Sequence, residues 1–439
     1  MVQFNLLLLT FLIVFFIRSG VQLYLNRLNI SYIRQHGRAV PEVFQDAVDP
    51  EKLKKISAYT VDSAAFGIIS SLANQAFFLV VLLSGFLPWL VRSIHQWGFG
   101  LIFGGLIFFA SLSVLTNLLH IPFNLYGTFV IEDRYGFNTK TFRVWVNDLL
   151  KSLALSALLG GLLLWLFLTL VVRGGTAWWV WAWILMGAFE LLMMWLYPVI
   201  IAPLFNKFEP IANKDLENQI GTLMEKAGLR AKGVFRMDAS KRSRHTNAYF
   251  TGIGKGKRIV LFDTLLEAHT GDEILAVLAH ELGHWKKKHV HKQIILAEFL
   301  SLAGFYVVAK LLDWALMYRT FGFLEPIPYV GLLLTGALFS PVGYFVQPLA
   351  SAISRKFERE ADDYSLTLIE RAEPMVSALK RLASDNLANL TPHPLYAWFY
   401  YSHPPLVERI ERLKRHPKFS ATEDSEVTEK ISNRYTRRH

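Results

Sequence analysis

Long apolar runs, separated by polar and basic segments, fill most of the first 205 residues and return twice after residue 291. A run of roughly 20 apolar residues can cross a bilayer as a helix, because a helix satisfies its own backbone polar groups in the hydrocarbon. About seven runs meet this length, which predicts an all-α polytopic membrane protein. The predicted spans are Phe4–Leu25, Phe66–Leu90, Leu101–Leu125, Leu149–Val172, Trp178–Leu204, Ile294–Met317 and Tyr329–Ile353. The first run lacks the basic start and the small-residue cleavage site of a signal peptide, so we interpret it as an anchor.

The polar segment after the fifth span has a different pattern. Three short pieces with β-forming residues predict a small sheet. They are Val234–Met237, Ala248–Thr251 and Arg258–Phe262. Thr270, followed three residues later by Glu273, matches a capping box, and lysines lie where the negative end of the following helix is expected. The sequence therefore predicts a helix over residues 270–289.

These elements divide the chain into five predicted parts. The division follows the changes in apolar content and charge along the sequence. The parts are an N-terminal region of five spans (1–204), a hydrophilic segment of the α+β type (205–291), two further spans (292–353), a helical segment (354–419) and a flexible tail (420–439).

The composition supports the membrane class, since 53% of the residues are hydrophobic and only 18% are charged. The chain has no Cys, which excludes disulfides, thiolate metal sites and a cysteine nucleophile. The net charge of +11 is not accompanied by any nucleic-acid-binding motif, so we expect no nucleic-acid partner. The basic residues mostly flank the apolar runs, and the expected partner is the lipid bilayer.

Alternate threading of the spans collects most of the basic loops on one side of the membrane. The positive-inside rule makes that side cytoplasmic, together with the segment 205–291. It contains Arg27, Arg34, Arg38, Lys52, Lys54, Lys55, Arg134, Lys140 and Arg143, whereas the opposite side has Arg92, Arg173 and Arg319. We therefore expect a site in the segment 205–291 to face the cytoplasm.

A metal-binding pattern lies on the predicted helix. His280 and His284 are four residues apart, so their imidazoles share one helix face and can bind one ion. Glu281, next to the first of them, can take a proton from a water activated by that ion. This H-E-x-x-H spacing predicts a zinc endopeptidase with one Zn²⁺. Its alternative is two ordinary histidines beside an exposed Glu.

A catalytic zinc needs a third protein ligand and an open position. The metzincin extension of the motif is excluded, because Lys287 and Val290 stand where it requires Gly and His. After the last span a carboxylate-rich helix is predicted, with Glu358 as the best ligand candidate and Glu360 as the second choice. Asp362, on the same face as Glu358, is expected to orient a histidine. A solvated charged face remains the alternative for this helix.

Two more histidines, His289 and His291, follow the motif in a lysine-rich stretch and could indicate a second metal site. No carboxylates accompany them in the sequence, and alternate residues of a helix point to different faces. We therefore interpret this stretch as a basic rim that faces the membrane, and we assign the two histidines no chemistry.

Several motifs in the same order resemble the type I CaaX prenyl endopeptidases, integral-membrane zinc proteases of the gluzincin type. The resemblance covers most of the chain. Its motifs are Ile131-Glu132, Arg134 to Asn138, Ala202 to Phe208, Asn247 to Phe250, His280 to His284, Ser354 to Asp362, Ser402 to Leu406 and Glu408-Arg409.

This resemblance implies a ring of about seven helices around a large chamber, with the zinc facing inward. It implies that Glu358 is the third ligand, that Asp362 supports the site, and that Arg409 pairs with a site carboxylate. His403 is implied to hydrogen-bond the substrate or the oxyanion. Asn247, Ala248 and Tyr249 resemble an edge strand that pairs with an extended peptide, although an ordinary strand would show the same sequence.

The sequence as a whole predicts a membrane-embedded zinc endopeptidase that acts on peptide or protein substrates. Two biological roles fit this activity: processing of C-terminal CaaX motifs, or quality control of membrane proteins. We expect a bacterial inner membrane rather than an endoplasmic reticulum membrane, and the oligomeric state is left open. The competing hypotheses are a transporter or channel with a structural zinc site, and an inactive scaffold.

Overall fold

The computed structural model of the protein describes residues 2–252 and 256–416. The predicted tail 420–439 lies outside these residues. The chain forms two compact units, each assembled from separate stretches of sequence. Of the described residues, the first unit contains 2–27, 62–205 and 291–347, and the second contains 28–61, 206–252, 256–290 and 348–416. The five-part division made from the sequence stays a prediction.

Helices dominate both units. The α-helices of the described residues are α1 (Leu6–His36), α2 (Pro50–Leu83), α3 (Phe86–Gln96), α4 (Leu101–Tyr126), α5 (Phe142–Leu155), α6 (Gly161–Arg173), α7 (Trp178–Leu196), α8 (Ala202–Phe205), α9 (Lys214–Lys226), α10 (Asp263–Ala268), α11 (Gly271–Lys286), α12 (His289–Leu311), α13 (Ala315–Thr320), α14 (Pro328–Ile369), α15 (Glu373–Asp385), α16 (Pro394–Tyr400) and α17 (Leu406–Lys414). Short π-helical segments extend α4 (127–132), join α5 to α6 (156–160) and join α7 to α8 (197–201).

Seven helical stretches of the described residues are long and apolar enough to cross a membrane, which confirms the predicted number. They are Leu6–His36, Pro50–Leu83, Leu101–Glu132, Phe142–Arg173, Gly175–Phe205, His289–Leu311 and Pro328–Ile369. The second predicted span, Phe66–Leu90, extends past the end of α2 at Leu83, because the chain turns at Gly85, where φ is +83°. The sixth ends at Leu311 instead of Met317, where a turn precedes α13.

The small sheet of the second unit has the strand order β1-β2-β4-β3. Its strands are β1 (Phe208–Pro210), β2 (Arg230–Met237), β3 (Ala248–Thr251) and β4 (Gly256–Phe262). The two central strands are parallel, and both outer strands pair antiparallel with their neighbours. The three predicted pieces lie in β2, β3 and β4. The short outer strand β1 was missed.

Helix α11 begins with the predicted capping box. The backbone N–H of Thr270 donates to the carboxylate of Glu273 at 2.8 Å, and the Thr270 hydroxyl accepts from the Glu273 N–H at 3.4 Å. On its apolar side, Leu278 and Leu282 are buried in the same hydrophobic cluster as Ala248 of β3. The sheet therefore fixes one face of α11. The helix ends at Lys286, three residues before the predicted end.

Another face of α11 meets the C-terminal part of α14 at very close range. A Cβ atom at Gly283 would lie 2.8 Å from both the Cα and the carbonyl oxygen of Ala361. Such a distance leaves room only for hydrogen, so glycine is what lets the two backbones touch. The approach brings Glu358 and Asp362, which precede and follow Ala361 on α14, to the histidines of α11.

Replacing Gly283 by Ala is expected to push α14 away from α11. We expect the free energy of unfolding to fall by about 1–3 kcal/mol and the affinity for metal to fall with it. Thermal unfolding and metal titration of the detergent-solubilised protein measure both effects. The control is Gly221→Ala on α9, where an added Cβ would meet nothing within 4 Å. Equal behaviour of the two variants would contradict the packing argument.

Candidate metal centre

Three potential ligands converge in the second unit, two from α11 and one from α14. The Nε2 atoms of His280 and His284 are 3.2 Å apart, as their spacing of one helical turn allows. Glu358 lies against both, with Oε2 at 3.3 Å from His280 Nε2 and Oε1 at 3.2 Å from His284 Nε2. One ligand atom from each residue fits within 4.8 Å of the other two. The predicted trio is therefore brought together.

Glu358 gives an independent indication that this trio fits a cation. Its side chain is only 4% exposed, and its Oε2 atom is buried without a hydrogen-bond donor. A buried carboxylate oxygen without a hydrogen bond is costly, because it has lost water and the Arg409 guanidinium approaches it only to 3.7 Å. Two imidazoles and a carboxylate are donors that suit a divalent transition metal, and such an ion would compensate the buried charge.

A buried ion pair between Asp362 and Arg409 contacts the Nδ1 side of the His280 ring. This Nδ1 lies 2.8 Å from Asp362 Oδ1, and the Arg409 guanidinium donates to both Asp362 oxygens, at 2.7 and 3.0 Å. Burial alone would lower the pKa of His280, but the carboxylates of Asp362 and Glu358 beside its two nitrogens raise it to about 9. Metal binding therefore has to displace a proton. The pairing of Arg409 with Asp362 is as the resemblance implied.

Arg409 reaches the site because α17 is tied to α14. Arg412, one turn further along α17, donates to both oxygens of Asp363 at 2.6 and 2.7 Å. It also donates to the carbonyl of Arg359 at 3.2 Å. Sequence reasoning missed this clamp, because a charged residue on a short C-terminal helix has no pattern that marks a distant partner.

Two further predicted residues border the trio. Glu281 is half-buried beside His280, and burial raises the pKa of its carboxyl above the ordinary value. His403 places its Nε2 atom 3.3 Å from Glu358 Oε1, while its ring stays 60% exposed and its Nδ1 contacts the Ser402 hydroxyl. A molecule that approaches the trio can therefore reach His403.

His289 is the main surprise of the site. The expectation that it lies on a membrane-facing rim is wrong, because it is 1% exposed and contacts a predicted ligand. Its Nδ1 is 3.1 Å from His284 Nδ1, and its Nε2 is 3.0 Å from Glu360 Oε2. Glu360, the second choice for a ligand, thus lies behind the trio. His291 is exposed, as expected.

The predicted peptide-binding residues lie at the edge of the sheet. Ala248 and Tyr249 are in β3, one of the two edge strands of the sheet, and Asn247 directly precedes it. The Phe262 N–H of β4 donates to the Asn247 carbonyl at 3.1 Å. Because the pairing sense alternates along an antiparallel ladder, the backbone polar groups of Ala248 and Phe250 point away from β4. The Ala248 N–H is met at 2.8 Å by the Asn247 side chain.

Comparison with known families covers nearly the whole chain. Residues 29–207 match the model of the CAAX prenyl protease N-terminal region with five membrane helices. Residues 210–416 match the model of peptidase family M48. The chain is 35% identical to a CAAX prenyl protease 1 homolog of Arabidopsis thaliana, over 85% of this chain and 90% of that protein. The chain belongs to the CAAX prenyl protease 1 family of M48 peptidases.

Other members of the family agree with this assignment. CAAX prenyl protease 1 of Saccharomyces cerevisiae is 34% identical, with 85% of this chain and 88% of that protein aligned. A human CAAX prenyl protease 1 homolog is 32% identical over the same shares of the two chains. The crystal structure of S. mikatae Ste24p is similar to this chain with a TM-score of 0.88 and 31% sequence identity. The matched region covers 94% of this chain and 100% of the Ste24p chain.

Membership of the CAAX prenyl protease 1 family settles the class of activity. The protein is a multi-pass integral membrane metalloendopeptidase that acts on peptide or protein substrates. The predicted enzyme and its fold are thereby confirmed, and the transporter hypothesis is not favoured. These relatives come from eukaryotes, so the expected bacterial membrane stays a prediction.

The Arg409–Asp362 pair generates a stability prediction. In the variant Arg409→Met, Asp362 keeps its buried charge without its main counter-ion, and we expect the free energy of unfolding to fall by about 3–5 kcal/mol. The control is Arg415→Met, which removes a surface pair at 3.5 Å whose Arg is 80% exposed. That change is expected to cost less than about 1 kcal/mol. Similar losses in thermal unfolding for both variants would contradict the assigned weight of the buried pair.

Proposed function

We propose that the protein binds one Zn²⁺ through His280, His284 and Glu358. Ligand atoms about 2.0–2.1 Å from a tetrahedral zinc lie about 3.3 Å from one another, and the Nε2 atoms of His280 and His284 are 3.2 Å apart. Glu358 meets the first histidine through Oε2 at 3.3 Å and the second through Oε1 at 3.2 Å, so each imidazole has a carboxylate oxygen at about this distance. The donor set of two imidazoles and one carboxylate also matches catalytic zinc sites, which leave the fourth position to water or substrate. This agreement of distance and donor chemistry carries the proposal.

Zinc in such a site lowers the pKa of a water and polarises the scissile carbonyl. Glu281 takes the proton from the attacking water and passes it to the leaving amine. Its pKa, raised by burial, suits both roles, because a general base works best with a pKa closer to the operating pH. Peptide-bond hydrolysis then needs no covalent intermediate, in keeping with a chain that has no Cys.

The residues around the trio stabilise the reacting carbonyl and orient the ligand His280. His403, with an exposed ring and one nitrogen near Glu358, donates a hydrogen bond to the substrate carbonyl as negative charge develops on its oxygen. Asp362 accepts the Nδ1 proton of His280 and so directs the Nε2 lone pair toward the metal. Arg409 holds Asp362 in its ionised form by a bidentate contact.

The substrate is an extended peptide that adds to the edge of β3. Strand addition binds backbone groups, so it accepts many side chains and leaves specificity to other contacts. The outward-facing carbonyl of Ala248 and the outward-facing backbone of Phe250 supply the pairing groups, with Asn247 and Tyr249 beside them. The names of the relatives point to C-terminal CaaX segments as the substrate class, and we propose processing of such segments here.

The site is proposed to face the cytoplasm. The basic loops of the chain fall on the same side as the segment 205–291 when the spans are threaded alternately, and this side is cytoplasmic by the positive-inside rule. A bacterial inner membrane is the expected location, with the endoplasmic reticulum membrane as the alternative.

Glu281→Gln is the direct test of the mechanism. The amide keeps the size of the side chain but cannot accept a proton, so we expect the cleavage rate to fall by about 10²–10⁴-fold. Zinc content, measured by metal analysis of the purified protein, is expected to stay at the wild-type level. The matched control is Glu225→Gln on the exposed face of α9, which should cleave normally. Retained cleavage in Glu281→Gln would defeat the assigned role.

Strand addition and the substrate class are tested with one set of peptides. The parent peptide ends in a prenylated Cys-a-a-X motif, and each derivative carries one N-methylated backbone amide. We expect kcat/KM to fall at every second position only, because alternate amides of a paired strand face β3. A uniform or absent effect would contradict strand addition. Equal kcat/KM for the unprenylated parent would instead favour quality control of membrane proteins.

A further inference from the structure

The second histidine ligand of the proposed zinc site has an unusual neighbour. The Nε2 atom of His284 faces His280 and Glu358. Its Nδ1 atom lies 3.1 Å from Nδ1 of His289. The Nε2 of His289 is in turn 3.0 Å from Glu360 Oε2. His280, by contrast, contacts the carboxylate of Asp362 directly. The two histidines are thus supported by different chemistry.

A turn in the backbone creates this arrangement. Residues five apart on a continuous helix do not share a face, so His289 could not contact His284 if α11 continued. Helix α11 ends at Lys286, and Lys288 has a φ of +56°, which is uncommon for a residue other than glycine. Helix α12 then begins at His289 itself. The turn carries the imidazole of His289 back to the side of His284.

The environment of His289 fixes its ring in place. The side chain is 2% exposed and stacks on Phe357, with ring centroids 4.2 Å apart and an angle of 8° between the planes. Phe357 directly precedes Glu358 on α14, and Glu360 lies one helical turn after Phe357. A single stretch of α14 therefore supplies the third ligand, the stacking partner and the carboxylate that meets His289.

We infer that His289 is a positioning residue, which accepts a hydrogen bond from His284 and so orients that ligand for the metal. The inference rests on the proposed zinc site. A histidine that binds metal through Nε2 must carry its proton on Nδ1, so His284 is the donor in the 3.1 Å contact. His289 Nδ1 must then be unprotonated, and its proton lies on Nε2, where Glu360 accepts it.

Glu360 thereby sets the tautomer of His289, and His289 sets the tautomer of His284. Support of this kind makes a ligand more basic and prevents its ring from rotating away from the metal. Loss of such a partner typically weakens metal binding by about 10–100-fold. The expected phenotype is therefore weaker zinc retention, which is measurable without any substrate.

The test compares zinc dissociation constants of the full-length, detergent-solubilised protein by competition with a chromophoric chelator. His289→Phe keeps an aromatic ring against Phe357 but removes both hydrogen bonds, and we expect the dissociation constant to rise about 10–100-fold. His289→Gln can still accept from His284 and donate to Glu360, so it should recover most of the affinity. His291→Phe, on the neighbouring exposed histidine, is the control and should bind as the wild type does.

Wild-type affinity in His289→Phe would overturn the inference, and so would equal losses in the Phe and Gln variants, since the hydrogen bonds would then be irrelevant. If His289→Phe does not fold, Glu360→Leu tests the same relay at a side chain that is 31% exposed. Zinc affinity must fall there too, or the inference fails. A failure of the proposed zinc site itself looks different, because His284→Ala would then leave the affinity of the protein unchanged.

Discussion

The contact of two helix backbones, α11 and α14, at Gly283 and Ala361 is the constraint on which the site depends. A Cβ at Gly283 would lie 2.8 Å from backbone atoms of Ala361, so the separation of the helices has almost no tolerance. His280, one turn before Gly283, and His284, directly after it, meet Glu358 only at that separation. The capping box and the hydrophobic cluster under β3 hold α11 in place, and the rest of the chemistry follows from its position.

The two buried carboxylates next to this contact, Asp362 and Glu358, differ in how fully their oxygens are hydrogen-bonded. Asp362 is compensated by Arg409, and the α17 helix that carries Arg409 is tied down by Arg412 and Asp363. Glu358 keeps a buried oxygen, Oε2, without a hydrogen-bond donor. Because an unpaired buried charge is expensive, the site combines a rigid frame with one position of unsatisfied negative charge. That combination suits a metal that must stay bound while the rest of its coordination changes.

The sequence predicted those features that depend on short stretches of chain. Apolar runs of about 20 residues predicted the seven spans. The capping box and the i, i+4 spacing of the two histidines predicted the helix that carries His280 and His284. The roles of His289 and Glu360 were not predictable, because they are 71 residues apart and meet only through a turn at Lys288. No Gly or Pro marks that turn. The single helix α14 was also hidden, because its sequence changes from apolar to charged near residue 354 while the helix continues to Ile369.

The central claim is that zinc binds between two imidazoles and one carboxylate with a fourth position left for water or substrate. X-ray absorption at the zinc edge of the purified, zinc-loaded protein measures this coordination directly. The account predicts four light-atom ligands at about 2.0–2.1 Å, two of them with the scattering pattern of imidazole, and a changed spectrum in Glu358→Gln. A spectrum that needs four protein ligands, or one that Glu358→Gln leaves unchanged, would contradict it.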